Sequence, residues 1–272
     1  MKKSLKYREM IADTRRLVVK IGTRVLVQKT GRPDIRCMRS LIRDLARLQH
    51  SGHEVVVVTS GAIGAGTEAL GMKRRPTKLP DLQMAAAVGQ TRLMSRYDEL
   101  FSSVGCKVGQ VLLTHADFHH KIRLTNARRT MENLIRNKVI PIVNENDVVA
   151  DEEIRADLAL GDNDFLASLV VKLIRADLLI ILTTVDGLRE RGKGGRTYRV
   201  RYLESITGRT FALVSGNNSE LSKGGMVTKL KAAQAVSRTG CSAIIANGRQ
   251  AGILTRIMMG EDVGTMVLAS GI

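Results

Sequence analysis

The sequence predicts an α/β protein: a three-layer αβα sandwich in which a mostly parallel central sheet is covered by helices on both faces. Three observations predict it. Short apolar runs alternate with stretches of helical periodicity along the whole chain. Some runs, Val55-Val56-Val57-Val58 above all, are apolar at consecutive positions, as strands buried on both faces are. The chain has 272 residues, 44% of them apolar, which is enough for one large domain or two small ones and argues against global disorder. Alternating strands and helices favour parallel strands joined by helical crossovers. No internal repeat or low-complexity segment interrupts the pattern.

The elements follow in order. Leu17 to Ile21 reads as a buried strand, and residues 34–50 place Ile35, Met38, Leu41, Ile42, Leu45 and Leu48 at helical spacing. Glu54 to Ser60 is the second strand, and 81–103 a long helix carrying Leu82, Ala86, Leu93, Leu100 and Phe101. Lys107 to Thr114 is a strand, 121–137 a helix, and Val139 to Val143 a strand. Residues 164–175 read as helix, Leu178 to Leu182 as strand and 226–239 as helix. Ala243 to Ala246 and Thr265 to Leu268 close the series as strands. The stretch 187–225 is rich in Gly, Arg and Ser and reads as a flap or a linker between two lobes.

The formal net charge is +17, from 43 Lys and Arg against 26 Asp and Glu. Residues 1–50 hold +10 of it and residues 189–231 hold +7, while 51–188 carry −1 and 232–272 carry +1. Such an excess points first to nucleic acid or an anionic surface. Aromatic content of only 3%, with no Trp, argues against a base-stacking platform. Cys37, Cys106 and Cys241 are scattered and form no CxxC or Cys/His cluster, so they read as buried small hydrophobes in a reducing compartment. The basic start is followed by no apolar segment of a signal peptide, and no run of about 18 apolar residues reads as a membrane span. His115, His119 and His120 around Asp117 read as a solvated helix start, and Arg128 and Arg129 as surface or interface charges.

In such a sheet, ligands bind beyond the carboxyl ends of the strands. Polar and glycine-rich sequences stand at each of these ends: Lys20-Ile21-Gly22-Thr23-Arg24, Thr59-Ser60-Gly61-Ala62-Ile63-Gly64, Asn144-Glu145-Asn146-Asp147, Gly161-Asp162-Asn163-Asp164 and Thr183-Thr184-Val185-Asp186-Gly187. Singly they are weak. A lysine in an apolar strand commonly snorkels from the strand end, and an Asp at a helix start commonly caps it. The strict phosphate-loop and dinucleotide patterns are absent. Together, lysine, glycine amides, Asn and Asp suit phosphoryl transfer, which needs cations and N–H donors around phosphate oxygens. Gly224-Gly225-Met226 before the last long helix, with Lys229 on its first turns, reads as a second phosphate cradle.

These residues resemble the amino-acid kinase family. The matching segments are Leu17 to Thr23, Val58 to Ile63, Ala86-Ala87-Val88-Gly89-Gln90, Val108 to Thr114, Asn126-Ala127-Arg128, Val143 to Asp147, Gly161 to Asp164, and Gly224 to Met226 with Thr228-Lys229. They run in the family's order from about residue 15 to 270. The likeness is strongest to members that use ATP to phosphorylate the γ-carboxylate of L-glutamate at the start of proline synthesis. The resemblance implies one domain over 1–272, with residues about 15–175 on the acceptor side and about 176–272 on the nucleotide side. It gives Lys20 and Lys229 the role of neutralising the transferring phosphoryl group, and Asp164 that of orienting both lysines. Ser60, Asn144, Asp147 and Asn163 would hold the acceptor, with Asp147 facing its α-ammonium. Gly22, Thr23, Gly61, Thr183, Thr184, Asp186, Gly187, Gly224, Gly225 and Met226 would border ATP and its phosphates, Gly22 and Gly61 through their N–H groups. Mg²⁺ would bridge the ATP phosphates and needs few protein ligands.

The chain departs from the family's pattern at Arg24, where a small residue is usual, and at Thr184, where Asp is frequent. Residues 189–196 replace an aromatic and Ala-Asp-Pro-like stretch near the adenine, and the loop from Asp147 to Gly161 is a few residues longer. An RNA-binding-like C-terminal domain carried by many members is missing. The resemblance further implies a homo-oligomer, dimer or tetramer, in the cytoplasm, and a downstream reductase that takes the labile acyl phosphate. A relative acting on another carboxylate, carbamate or phosphate is the first alternative, and a non-catalytic nucleic-acid binder the second. Nucleic acid and membrane are not expected partners.

Overall fold

The computed structural model describes residues 10–28, 33–149, 163–192, 195–215 and 220–270. In chain order the elements are β1 (Arg16–Ile21), α1 (Thr23–Leu26), α2 (Ile35–His50), β2 (Glu54–Val58), α3 (Ala62–Ala69), α4 (Leu79–Ser102), β3 (Lys107–Leu113), α5 (His115–His119), α6 (Lys121–Arg136) and β4 (Val139–Glu145). They continue with α7 (Asn163–Ile174), β5 (Leu178–Thr183), β6 (Arg189–Arg191), β7 (Thr197–Arg199), β8 (Tyr202–Leu203), α8 (Gly208–Ser215), α9 (Glu220–Ser237), β9 (Ser242–Asn247), α10 (Ile253–Met258) and β10 (Gly264–Val267).

Eight strands form one sheet in the order β3-β4-β2-β1-β5-β9-β10-β8. The pairs from β3 to β9 are parallel, and β10 turns antiparallel to β9. β1 lies between β2 and β5, with Lys20 in register with Val58 on one side and Ile181 on the other.

Side chains on a strand alternate between the two faces of the sheet. Leu17, Val19, Ile21, Val55, Val57 and Ile180 pack with α2, α4 and α10 into one core. Val18, Val56, Val58, Leu179 and Ile181 pack with α6, α7 and α9 into the other. The same alternation puts Lys20 on the face of Val18, under α7 and α9.

The helices start where local chemistry favours them. Asp34 accepts a hydrogen bond from the Cys37 amide and caps α2. Thr114 and Asp117 form a reciprocal capping box at α5, which is the role of the acidic residue among the three histidines. Arg128 is an exposed residue that donates to the Leu173 carbonyl at 2.9 Å and ties α6 to α7.

Two expectations are corrected. The described parts of 187–225 form a β6–β7 hairpin, the sheet-edge strand β8 and helix α8. The segment is anchored by single buried residues, Leu188, Ile206 and Val214, so it shows no periodic pattern to read. The last long helix begins at Glu220, so Gly224 and Gly225 lie inside α9 and not ahead of it. Amides inside a helix bond to the preceding turn, which removes the anticipated glycine cradle.

Candidate active site

β1 carries Lys20 to the carboxyl end of the sheet. Its ammonium is 2% exposed and lies 2.7 Å from Asp164 Oδ1. Asp164 is the second residue of α7 and is fully buried. Its other oxygen, Oδ2, accepts from Lys229 Nζ at 2.9 Å and from Thr228 Oγ1 at 3.0 Å. Lys229 is 7% exposed and also donates to the Gly225 carbonyl at 3.0 Å.

Burying charge is tolerable only when it is paired and hydrogen-bonded. Two lysines share one carboxylate here. The snorkelling and N-capping readings of Lys20 and Asp164 give way to this arrangement. Neither residue would be buried for those purposes.

Above the cluster opens a cleft of about 710 Å³. Lys20, Gly22, Thr23, Thr183, Thr184, Gly187, Gly225, Met226 and Lys229 all line it. A Cβ placed on Gly22 would stand 3.2 Å from the Leu182 carbonyl oxygen and 3.9 Å from Lys20 Nζ. The Gly22 amide itself donates to Leu182 at 3.1 Å and ties β1 to β5, so Gly22 supplies room where an N–H donor was expected. Gly61 holds φ 107° at the N-cap of α3, a left-handed conformation that suits glycine. Asp186 forms an ion pair with Arg189 at 3.0 Å. Gly224 lies inside α9, one residue before the cleft-lining Gly225.

The expected acceptor residues fall in separate hydrogen-bonded groups and one turn. Thr23 Oγ1 donates to Ser60 Oγ at 2.9 Å, and Ser60 donates to the Ile21 carbonyl at 3.1 Å. Asn144, at the end of β4, accepts from Asn163 Nδ2 at 3.2 Å. Asp147 is half-buried in the turn after β4. Asp162 and most of the long loop before α7 lie outside the described residues.

Four residues take places that sequence reasoning did not give them. Arg24, seen as a departure from the family pattern, lines the cleft, and so do Arg75 and Arg189. Arg75 comes from the segment between α3 and α4, where no motif marks it. Gln90 accepts from Asn144 Nδ2 at 2.8 Å, and its only signal was membership of the Ala86–Gln90 motif.

The three cysteines are free. Cys106 and Cys241 are buried as expected, and Cys37 is half-buried. Burial pushes the Cys37 thiol up to about 11 and the Cys241 thiol up to about 12, so neither is a nucleophile at neutral pH. Among the described residues, no group of three or more His, Cys, Asp or Glu is placed to hold a metal ion.

A parallel sheet with a buried Lys–Asp–Lys cluster beneath a cleft at its carboxyl end defines the class. The chain belongs to the amino acid kinase family, whose model matches residues 15–247. Its relatives include the glutamate 5-kinase of Moorella thermoacetica, 44% identical over 260 residues, which span 95% of this chain and 68% of that protein. The glutamate 5-kinase of Listeria monocytogenes serotype 4b is 40% identical over 261 residues, spanning 95% of both chains. Among solved structures, a Giardia lamblia carbamate kinase bound to AMP-PNP aligns with a TM-score of 0.64 at 14% identity, covering 94% of this chain and 99% of that one. That likeness is one of fold. No described helix is long and apolar enough to cross a membrane.

Proposed function

We propose that the chain transfers the γ-phosphoryl group of ATP to the γ-carboxylate of L-glutamate. The observation that carries this reading is the buried Lys20–Asp164–Lys229 cluster at the floor of the cleft. The kinship with glutamate 5-kinases supports the choice of acceptor.

A glutamate side chain is ionised at neutral pH, since its ordinary pKa is about 4.3. Its oxygen attacks the γ-phosphorus without help from a protein base. A new O–P bond forms, the bond between the γ-phosphorus and the β–γ bridging oxygen breaks, and ADP leaves with the electron pair. Charge grows on the equatorial and leaving oxygens, and Lys20 and Lys229 face it with their ammonium groups. Asp164 keeps the two ammonium groups apart and aimed. Ser60, Asn144, Asp147 and Asn163 hold the amino acid, and Thr183, Thr184, Gly187 and Met226 border the nucleotide. Mg²⁺ bound to the ATP phosphates would neutralise part of their charge. We place the reaction in the cytoplasm, where ATP and glutamate are supplied.

The test traps the acyl phosphate with hydroxylamine in the presence of ATP, Mg²⁺ and L-glutamate. The wild type is expected to form the hydroxamate, and Lys20→Ala and Lys229→Ala each to lose about 10²–10³-fold in rate. Product with aspartate, N-acetylglutamate or carbamate but none with glutamate would overturn the choice of acceptor.

A further inference from the structure

Helix α2 carries an arginine on each of its turns. Arg36, Arg39, Arg43 and Arg47 stand three, four and four residues apart, and His50 follows three residues later. At about 100° per residue, the five side chains leave the helix within an arc of about 80°. All five residues are exposed. Met38, Leu41, Ile42, Leu45 and Leu48 take the opposite side and are buried in the core. The one carboxylate of the helix, Asp44, is 2% exposed and lies 3.6 Å from Arg47. Arg36, Arg39 and Arg43 make no ion pair among the described residues. Past His50 the stripe meets a second cavity, of about 650 Å³, at the amino end of the sheet. Its two carboxylates, Glu54 and Glu132, are both held by Arg16. Its exposed Arg136 and Lys138 make no ion pair among the described residues.

Like charges three or four residues apart destabilise a helix, so this row works against the fold. A polyanion lying along it turns the repulsion into attraction. At about 1.5 Å per residue, Arg36 and Arg47 are about 16 Å apart along the helix. One strand of a DNA duplex places a phosphate every ~3.4 Å of its axis, so that length faces about five of them. The planar guanidinium also suits phosphate oxygens, which it can contact through two N–H groups at once. A membrane surface fits less well. A helix lying in lipid needs a free apolar face, and α2 has its own packed in the core. The scarcity of aromatic side chains excludes stacking on bases but not contacts to phosphate, which carry no sequence information.

We propose that the solvent face of α2 binds the phosphate backbone of nucleic acid, independently of base sequence. The surface is separate from the cleft, which none of these arginines lines.

Fluorescence anisotropy of the full chain with a labelled 24-bp mixed-sequence DNA duplex, and with a 24-nucleotide RNA, tests this between 50 and 200 mM salt. The logarithm of the duplex binding constant is expected to fall against the logarithm of salt concentration with a slope of about −3.6, for four phosphates neutralised. The triple variant Arg36→Gln, Arg39→Gln, Arg43→Gln should lose about 2.7 of that slope and at least about tenfold in affinity at 50 mM salt. Arg39→Gln with Arg43→Gln should lose about 1.8. Thermal midpoint and hydroxamate formation should stay unchanged in both, since glutamine favours helix and the residues stand outside the cleft. The Arg24→Ser, Arg75→Ser cleft variant should bind like the wild type. Stripe-dependent binding of either polymer supports the proposal, and the tighter of the two identifies the ligand. No binding at 50 mM salt, an unchanged slope in the stripe variants, or a loss that follows the cleft variant instead overturns it. So does binding to phosphatidylserine vesicles with none to either polymer.

Discussion

The two lysines of the site differ from ordinary surface lysines in one respect: both depend on a single carboxylate. Asp164 accepts from Lys20, Lys229 and Thr228 while fully buried. Removing its charge leaves two ammonium groups facing each other in a dry site. Asp164→Asn is expected to lose about 3–5 kcal/mol of stability in urea unfolding at neutral pH, in addition to most of the activity. An unchanged urea midpoint would mean that the carboxylate does not hold the lysines in solution. At this scale the sequence was only partly legible. Each residue type was visible, and each had a bland explanation: a strand-end lysine, a helix cap, a glycine-rich turn. What selected the functional explanation was convergence, and convergence of β1, α7 and α9 is a tertiary fact. Gln90 was present in a recognisable motif, yet its contact with Asn144 was hidden because nothing local to α4 reveals it.

At the scale of elements, the amphipathic and all-apolar segments were read nearly to their observed ends, because period and burial are written in the sequence itself. α2 occupies 35–50 against an expectation of 34–50, and β1, β3, β4 and β5 fall where they were placed. Misreadings arose where local signals conflict with packing. Adjacent glycines, unfavourable inside a helix by about 1 kcal/mol each, concealed the first turns of α9. The pair α3 and α4 shows the opposite use of glycine. A Cβ on Gly66 would lie 1.7 Å from the Ala85 carbonyl oxygen, and one on Gly89 would lie 1.8 Å from that of Ala62. The two helices touch backbone to backbone at these points. Gly89→Ala is therefore expected to destabilise the protein by about 3 kcal/mol and lower its thermal midpoint. Gly64→Ala, on the same α3 but facing open space, is expected to be neutral or to stabilise by up to about 1 kcal/mol. Equal effects from the two substitutions would refute the close crossing.

For the whole molecule, the +17 charge gains a partial explanation. Beyond the two buried lysines, the cleft is lined by Arg24, Arg75 and Arg189. Arg189 is paired with Asp186, whereas Arg24 and Arg75 are exposed and make no ion pair among the described residues. They raise the positive potential at the mouth of a site built for polyanions. The KM for ATP is expected to rise about threefold between 50 and 200 mM salt, and this dependence to flatten in the Arg24→Ser, Arg75→Ser double variant. A salt response identical in the variant would assign the steering to charges elsewhere. Most of the excess charge lies outside the cleft.

The position of Lys20 on β1 has a consequence during synthesis. Ribosomes deliver the chain from the N-terminus, so Lys20 emerges before its carboxylate and long before its fellow lysine. Once α7 has been made, Asp164 can meet Lys20, and that pair is electrically neutral. Only α9, delivered near the end, adds Lys229 to the same carboxylate. A chain interrupted between these two helices lacks one of the two lysines that line the cleft. The site therefore becomes active late, when nearly the whole sheet is already available to hold it.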